Sequence, residues 1–335
     1  MIRSSVEFQM ARPVRIPRLT MIRSGLIAAI LPALVGCDSR PTPGASAATP
    51  TPAAARSAPP KVVCTIGMIA DIARRVGGPR VDVVGIMGEG VDPHLYKAST
   101  GDVRLLGDAD LILYNGLNLE GKMGDLFVRM AARKATVAVT EKIDEKQLRE
   151  PPEFAGHFDP HVWFDVSLWM VAVERVRDAL TVLDPAGREE FRAAAGTYLK
   201  ELAQLHEECR REIATIPREQ RVLVTAHDAF GYFGRAYDIE VRGLQGISTE
   251  SEPSLKDVNG LVDMLVTRQV RAVFVESSVP HKNVEALAEG CRARGHNLRI
   301  GGQLFSDAMG RAGTPEGTYI GMVRHNVKTI VEGLR

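Results

Sequence analysis

Residues 88–123 read GEGVDPHLYKASTGDVRLLGDADLILYNGLNLEGKM, a loop carrying a proline-braced histidine that runs into a helix and then a strand. Pro93 fixes its own φ and drives Asp92 out of the helical region, so the turn is stiff where it presents the imidazole of His94. A stiff loop loses less entropy on closing around a ligand, which makes His94 a candidate metal ligand. The same tripeptide, Asp-Pro-His, recurs at 159–161 and presents His161 in the same way. Taken alone, either histidine is more often structural than a ligand.

Outward from this stretch, short β-rich runs alternate with helical segments. Strands are expected at 62–66, 81–87, 111–114 and 135–139, and again at 222–225, 239–244, 272–275 and 298–301, a βα series in each half. The fold class is therefore α/β, with two lobes built on parallel sheets. Ser99 with Asp102 and Ser254 with Asp257 read as capping boxes that open helices. Between the halves, Asp184 reads as an N-cap and Pro185 as a first helical residue, and the helical pattern then runs unbroken to Ile216. Phe191, Tyr198 and Leu205, with Ala195, Leu202 and Cys209, form one apolar stripe, as expected of a linking helix along both lobes; an ordinary surface helix would show the same stripe. At about 1.5 Å per residue it would span roughly 45 Å, a rigid spine that would keep any opening of the molecule small.

Composition bounds the rest. The chain has 335 residues, enough for two domains with full cores, and its net charge of +1 without a long basic run argues against nucleic-acid binding. Cys37, Cys64, Cys209 and Cys291 have no CxxC spacing and suggest no disulfide framework; Cys64 fits a small buried hydrophobe. Residues 25–36 are an apolar run too short to span a bilayer and suited to a signal-peptide core. The run ends in Leu34-Val35-Gly36-Cys37, which resembles a bacterial lipobox and makes Cys37 a lipidation site; cleavage near Ala45-Ser46-Ala47 is the alternative. The start is better placed at Met21 than at Met1, and Asp38 resembles an inner-membrane retention signal. The expected division is a signal peptide at 1–37, a Pro/Ala/Thr-rich tether at 38–60, a first lobe at 61–183, a linking helix at 184–216 and a second lobe at 217–335.

The second half adds His227, directly after the strand RVLVTA, and Asp307, in the loop after the last strand. Both fall at carboxyl ends of strands, where open α/β sheets bind ligands. With His94 and His161 they make three imidazoles and one carboxylate, a donor set for zinc, manganese or ferrous iron rather than calcium or magnesium. Glu276, ending the strand VFVE, either orients a ligand histidine or caps the next helix. Trp163 and Trp169 read as packing residues.

Several segments in one order, GVDPHLYKASTGDVRLLGDADLILYNGLNLE, DPHVWFDVSLW, VTAHDAFGYFGRAYDIE, GLQGISTESEPS, VFVESSVP, and GGQLFSDAMG with GTPEGTYIGMVRHNV, closely resemble the metal-binding solute receptors of bacterial ABC importers, the TroA-like group. The resemblance runs from about Lys61 to the C-terminus. It implies two α/β lobes joined by one long helix, a metal between them, and ligands falling on His94, His161, His227 and Asp307. It also implies delivery of the ion to a membrane permease with its ATPase by a monomeric, extracytoplasmic, membrane-anchored lipoprotein.

The third ligand position varies in the family between histidine and glutamate, and His227 makes this site nitrogen-rich and tolerant of zinc. Only His157 lies between Glu120 and His161, so the histidine-rich loop common in zinc-specific members is missing, and the motifs are closer to receptors linked to manganese, zinc or iron uptake. Zinc outbinds manganese at almost any such site, so affinity alone does not identify the physiological metal. Two other classes of function would use the same residues. A zinc hydrolase with Glu276 as base would need an open coordination position, which four protein ligands would close. A surface adhesin with a structural metal would lack neighbouring permease and ATPase genes.

Overall fold

The structure, a computed structural model, describes residues 58–154 and 156–335. The signal peptide, Cys37 and nearly all of the tether lie outside the described residues.

The first lobe comprises β1 (Lys61–Cys64), α1 (Gly67–Gly77), β2 (Asp82–Gly85), α2 (Thr100–Asp108), β3 (Leu111–Tyr114), α3 (Gly124–Ala131), β4 (Ala135–Ala138) and α4 (Val166–Leu183). Its four strands form one parallel sheet in the order β2-β1-β3-β4, with Val63 opposite Val84 on one side and Ile112 on the other. After α5 (Arg188–Ala214) come β5 (Val222–His227), α6 (Gly231–Tyr237), β6 (Glu240–Gln245), α7 (Leu255–Thr267), β7 (Ala272–Glu276), α8 (Lys282–Ala293), β8 (Arg299–Leu304) and α9 (Tyr319–Leu334). β5 pairs with β6 and β7 with β8, all parallel, and β5 lies alongside β7, so the second lobe repeats the strand sequence of the first. Parallel strands covered on both faces read as near-continuous apolar runs, and β5 and β7 are buried at every residue, including the polar ones at their carboxyl ends.

Both capping boxes form: the hydroxyls of Ser99 and Ser254 accept from the backbone N–H groups of Asp102 and Asp257, whose carboxylates accept from the serine backbones in return. The linking helix differs at its start. The expected N-cap, Asp184, makes no capping bond; its carboxylate is held by the Arg80 guanidinium at 2.7 and 2.8 Å. A 3-10 turn, Pro185–Gly187, intervenes, and the α-helix proper begins at Arg188. A tertiary ion pair has thus taken the side chain that local capping would have used.

Over its 27 residues α5 extends about 40 Å. Its buried face is the expected stripe, Phe191, Ala195, Tyr198, Leu202, Leu205 and Cys209, continued by Ile213. That face packs on α1 and α4 of the first lobe and on α6 and α9 of the second. Asp71 of α1 fastens the same junction, accepting from the Tyr198 hydroxyl of α5 and from the backbone N–H of Tyr319, the first residue of α9, each at 3.2 Å. One hydrophobic core therefore runs from the first lobe under α5 into α9. No helix among the described residues is long and apolar enough to cross a membrane.

Leu202, fully buried at the middle of α5, tests the spine. Leu202→Ala is expected to cost about 2–5 kcal/mol in urea unfolding. Val182→Ala, at a position 80% exposed, should stay within about 0.5 kcal/mol. Equal effects would show that the stripe does not carry the junction.

Candidate metal centre

Four side chains from four separated parts of the chain meet between the lobes. His94 stands in the loop after β2, His161 in the loop before α4, His227 is the last residue of β5, and Asp307 follows β8. One donor atom from each lies within 4.8 Å of all the others. The Nε2 atoms of His94 and His161 are 3.2 Å apart, and those of His94, His161 and His227 lie 3.7, 3.4 and 3.3 Å from the Asp307 carboxylate oxygens. His227 Nε2 and both Asp307 oxygens are buried and have no hydrogen-bond partner, although they are close to one another. Buried polar atoms are almost always satisfied, and these three lie in a space shared with the other two imidazoles. His94 is 4% exposed, Asp307 1%, and the other two are fully buried.

The two Asp-Pro-His turns share a device that proline alone does not supply. In each, the aspartate carboxylate accepts from the backbone N–H of the histidine two residues on, Asp92 from His94 at 2.8 Å and Asp159 from His161 at 3.0 Å. The Oδ1 of Asp159 also lies 2.8 Å from His161 Nδ1, fixing the ring so that Nε2 faces the centre, and Arg149 holds its other oxygen at 2.7 Å. The Tyr232 hydroxyl, from α6 in the second lobe, donates to the Asp159 carbonyl at 2.9 Å. Asn115, at the end of β3, adds a donor to the Pro160 carbonyl at 3.1 Å.

His227 is held by Glu276. The two residues end the neighbouring strands β5 and β7, which places them side by side; Glu276 accepts from the His227 backbone N–H at 2.8 Å and lies 2.5 Å from Nδ1. Glu276 precedes α8 by several residues and does not cap it. In the first lobe another buried carboxylate, Glu120, shapes a loop without touching the candidate ligands. It is buried, accepts from the Thr65 hydroxyl at 2.6 Å and the Asn115 N–H at 2.8 Å, and closes a loop in which Gly116, Leu117 and Asn118 all have positive φ. Such strain at non-glycine residues persists only where surroundings over-determine it.

Charges in this centre are strongly biased. Burial lowers His94 to about 3, more than Asp307 can offset. At His161 burial also acts downward, but the Asp159 hydrogen bond and the negative charge of nearby Asp307 outweigh it and raise the ring to about 9. His227 is raised well above its ordinary value because Glu276 and Asp307 overcome burial, and Asp307 is held far below the usual carboxylate range by His227 and His161 despite its burial. The surroundings thus favour the protonated ring at His161 and His227 and the neutral ring at His94.

The candidates named from the sequence, His94, His161, His227 and Asp307, are thus brought together, with Glu276 against one of them. Asp92, Glu120, Arg149, Asp159 and Tyr232 were given no role by sequence reasoning. The repeated Asp at the first place of each Asp-Pro-His was the one available signal, since Asx turns of this kind are local. Glu276→Gln would set an amide donor against a backbone or ring N–H, and is expected to weaken zinc binding about 10–100-fold in a competitive titration; unchanged affinity would show that the contact does not orient His227.

Residues 62–333 match the family described as the zinc-uptake complex component A, periplasmic. The zinc-binding protein TroA of Treponema pallidum is 53% identical over 281 residues, spanning 84% of this chain and 91% of that protein. The manganese-binding lipoprotein MntA of Bacillus subtilis is 47% identical over 319 residues, 94% of this chain and all of that one. The solved structure of the T. pallidum periplasmic zinc-binding protein superposes with a TM-score of 0.81, covering 82% of this chain and 99% of its own. Two α/β lobes on one long helix, the buried centre between them and these likenesses together establish that the chain belongs to the zinc-uptake component A family of periplasmic metal-binding proteins.

Proposed function

We propose that the protein is the extracytoplasmic receptor of an ABC importer. It captures one divalent transition-metal ion on His94, His161, His227 and Asp307 and delivers it to a membrane permease driven by its ATPase. The observation that carries this reading is the convergence of four buried side chains, of which His227 Nε2 and both Asp307 oxygens have no hydrogen-bond partner. Three nitrogens and a carboxylate suit zinc or manganese, the metals named for the two relatives, with ferrous iron as a further candidate. A hydrolase that uses Glu276 as its base is disfavoured because both Glu276 oxygens are engaged by His227. Several relatives are named as lipoproteins, which supports Cys37 as the anchor and 38–60 as a tether, with 61–183 and 217–335 as the lobes of a monomer and 184–216 between them.

The reading is tested on residues 61–335 titrated with zinc, manganese and ferrous iron. One ion per chain is expected, with binding lost or weakened by orders of magnitude in His94→Ala and Asp307→Ala while both variants stay folded. Binding unchanged in either variant would remove that residue from the site, and no binding by the unaltered protein would overturn the receptor reading.

Proton linkage gives a second test. Because His161 is raised to about 9 and His227 is raised as well, an ion bound near pH 7 displaces protons from these rings, whereas His94, lowered to about 3, has none to lose. Calorimetry in buffers of different ionisation heat should show net proton release on zinc binding, and affinity should fall as pH falls. Identical heats in all buffers would contradict this charge distribution.

A further inference from the structure

The two Asp-Pro-His turns are built alike but secured differently. Asp159 is fully buried and its outer oxygen is gripped by the Arg149 guanidinium, a charge-assisted bond. The outer oxygen of Asp92 instead accepts a neutral bond, 2.5 Å from the Thr249 hydroxyl in the second lobe. Thr249 is 8% exposed and sits in the loop after β6, where Gln245 holds the backbone by donating to the carbonyls of Thr249 and Ser251 at 2.8 and 2.7 Å. The same edge has two more cross-lobe contacts. Gly90, with φ +69°, lies so near the second lobe that a Cβ would stand 3.4 Å from the Ser277 carbonyl, and Lys122 pairs with Glu250 at 2.6 Å. The ion pair is partly exposed and adds little. His94 is also the most exposed of the four candidate ligands.

We propose that Thr249 is a positioning residue for metal retention: its hydroxyl, bonded across the cleft to Asp92, clasps the His94 turn against the second lobe, and the site opens at His94 when that bond is lost. The proposal rests on the four-ligand reading. It assigns the loop 246–253 the role of a release catch, since anything that draws this loop away would free the Asp92 carboxylate and with it the backbone N–H that orients His94. The other three ligands would stay anchored by Glu276, Asp159 and the sheet ends.

The test is zinc release into excess chelator, followed by stopped flow, for the unaltered protein and for Thr249→Val, Thr249→Ser, Asp92→Ala and the Asp92→Ala/Thr249→Val double variant. Valine keeps the shape and removes the hydroxyl, so dissociation should be about tenfold faster, with the association rate unchanged and cooperative metal-free melting retained. Serine should restore the slow rate. The double variant should release no faster than Asp92→Ala, because the partner is already gone. Release from Thr249→Val at the original rate, or additive effects in the double variant, would overturn the clasp while leaving the receptor reading in place. Failure of the unaltered protein to bind zinc would overturn both.

Discussion

The arrangement depends on a buried carboxylate that cannot be left alone. Asp307 is nearly inaccessible, and an isolated charge there would cost several kcal/mol or more. Three imidazole rings surround it, and the polarity of two of them is set from behind by Asp159 and Glu276. The carboxylates of Asp159, Glu276 and Asp307 favour the protonated form of His161 and His227, so Asp307 faces positively biased rings and not apolar surroundings.

The fold supplies this centre by an economical use of strand ends. β5 and β7 lie together and are wholly buried, so their last residues, His227 and Glu276, are set side by side with no loop to position them. The two histidines of the first lobe come from loops, and each loop is stiffened by its own aspartate. The helix α5 and the continuous core beneath it join the lobes over a long front, which favours a small local opening over a wide hinge motion. Tyr319 strengthens that front: its hydroxyl donates to the Trp163 carbonyl at 2.6 Å, and the Trp163 indole donates to the Ser306 carbonyl at 3.1 Å, next to Asp307. The packing residue read from the sequence at Trp163 therefore also ties a first-lobe loop to the Asp307 loop.

The βα alternation, both capping boxes and the stripe of α5 were legible because each rests on spacing within one segment. Asp184 stands at the N-cap position of the 3-10 turn, but its side chain does not cap: its partner, Arg80, is 104 residues away, and capping propensity is a local preference that a tertiary ion pair can override. The four donors were legible chiefly through family resemblance; position after a strand or within a stiff turn suggests each one only weakly. What surrounds them was not. Thr65 with Glu120, Tyr232 with Asp159 and Thr249 with Asp92 are separated by 55, 73 and 157 residues, and no periodicity or motif links such pairs before the chain is folded. The left-handed backbone of Leu117 and Asn118 belongs to the same class, since it is sustained by the buried Glu120 carboxylate.

The most direct test of the central claim is an anomalous-scattering map from crystals of the zinc-loaded protein, measured on both sides of the zinc absorption edge. The account predicts one strong peak between the lobes, about 2.0–2.2 Å from a nitrogen of His94, His161 and His227 and from an Asp307 oxygen. A peak elsewhere, or one at this place lacking any of the four residues, would contradict it.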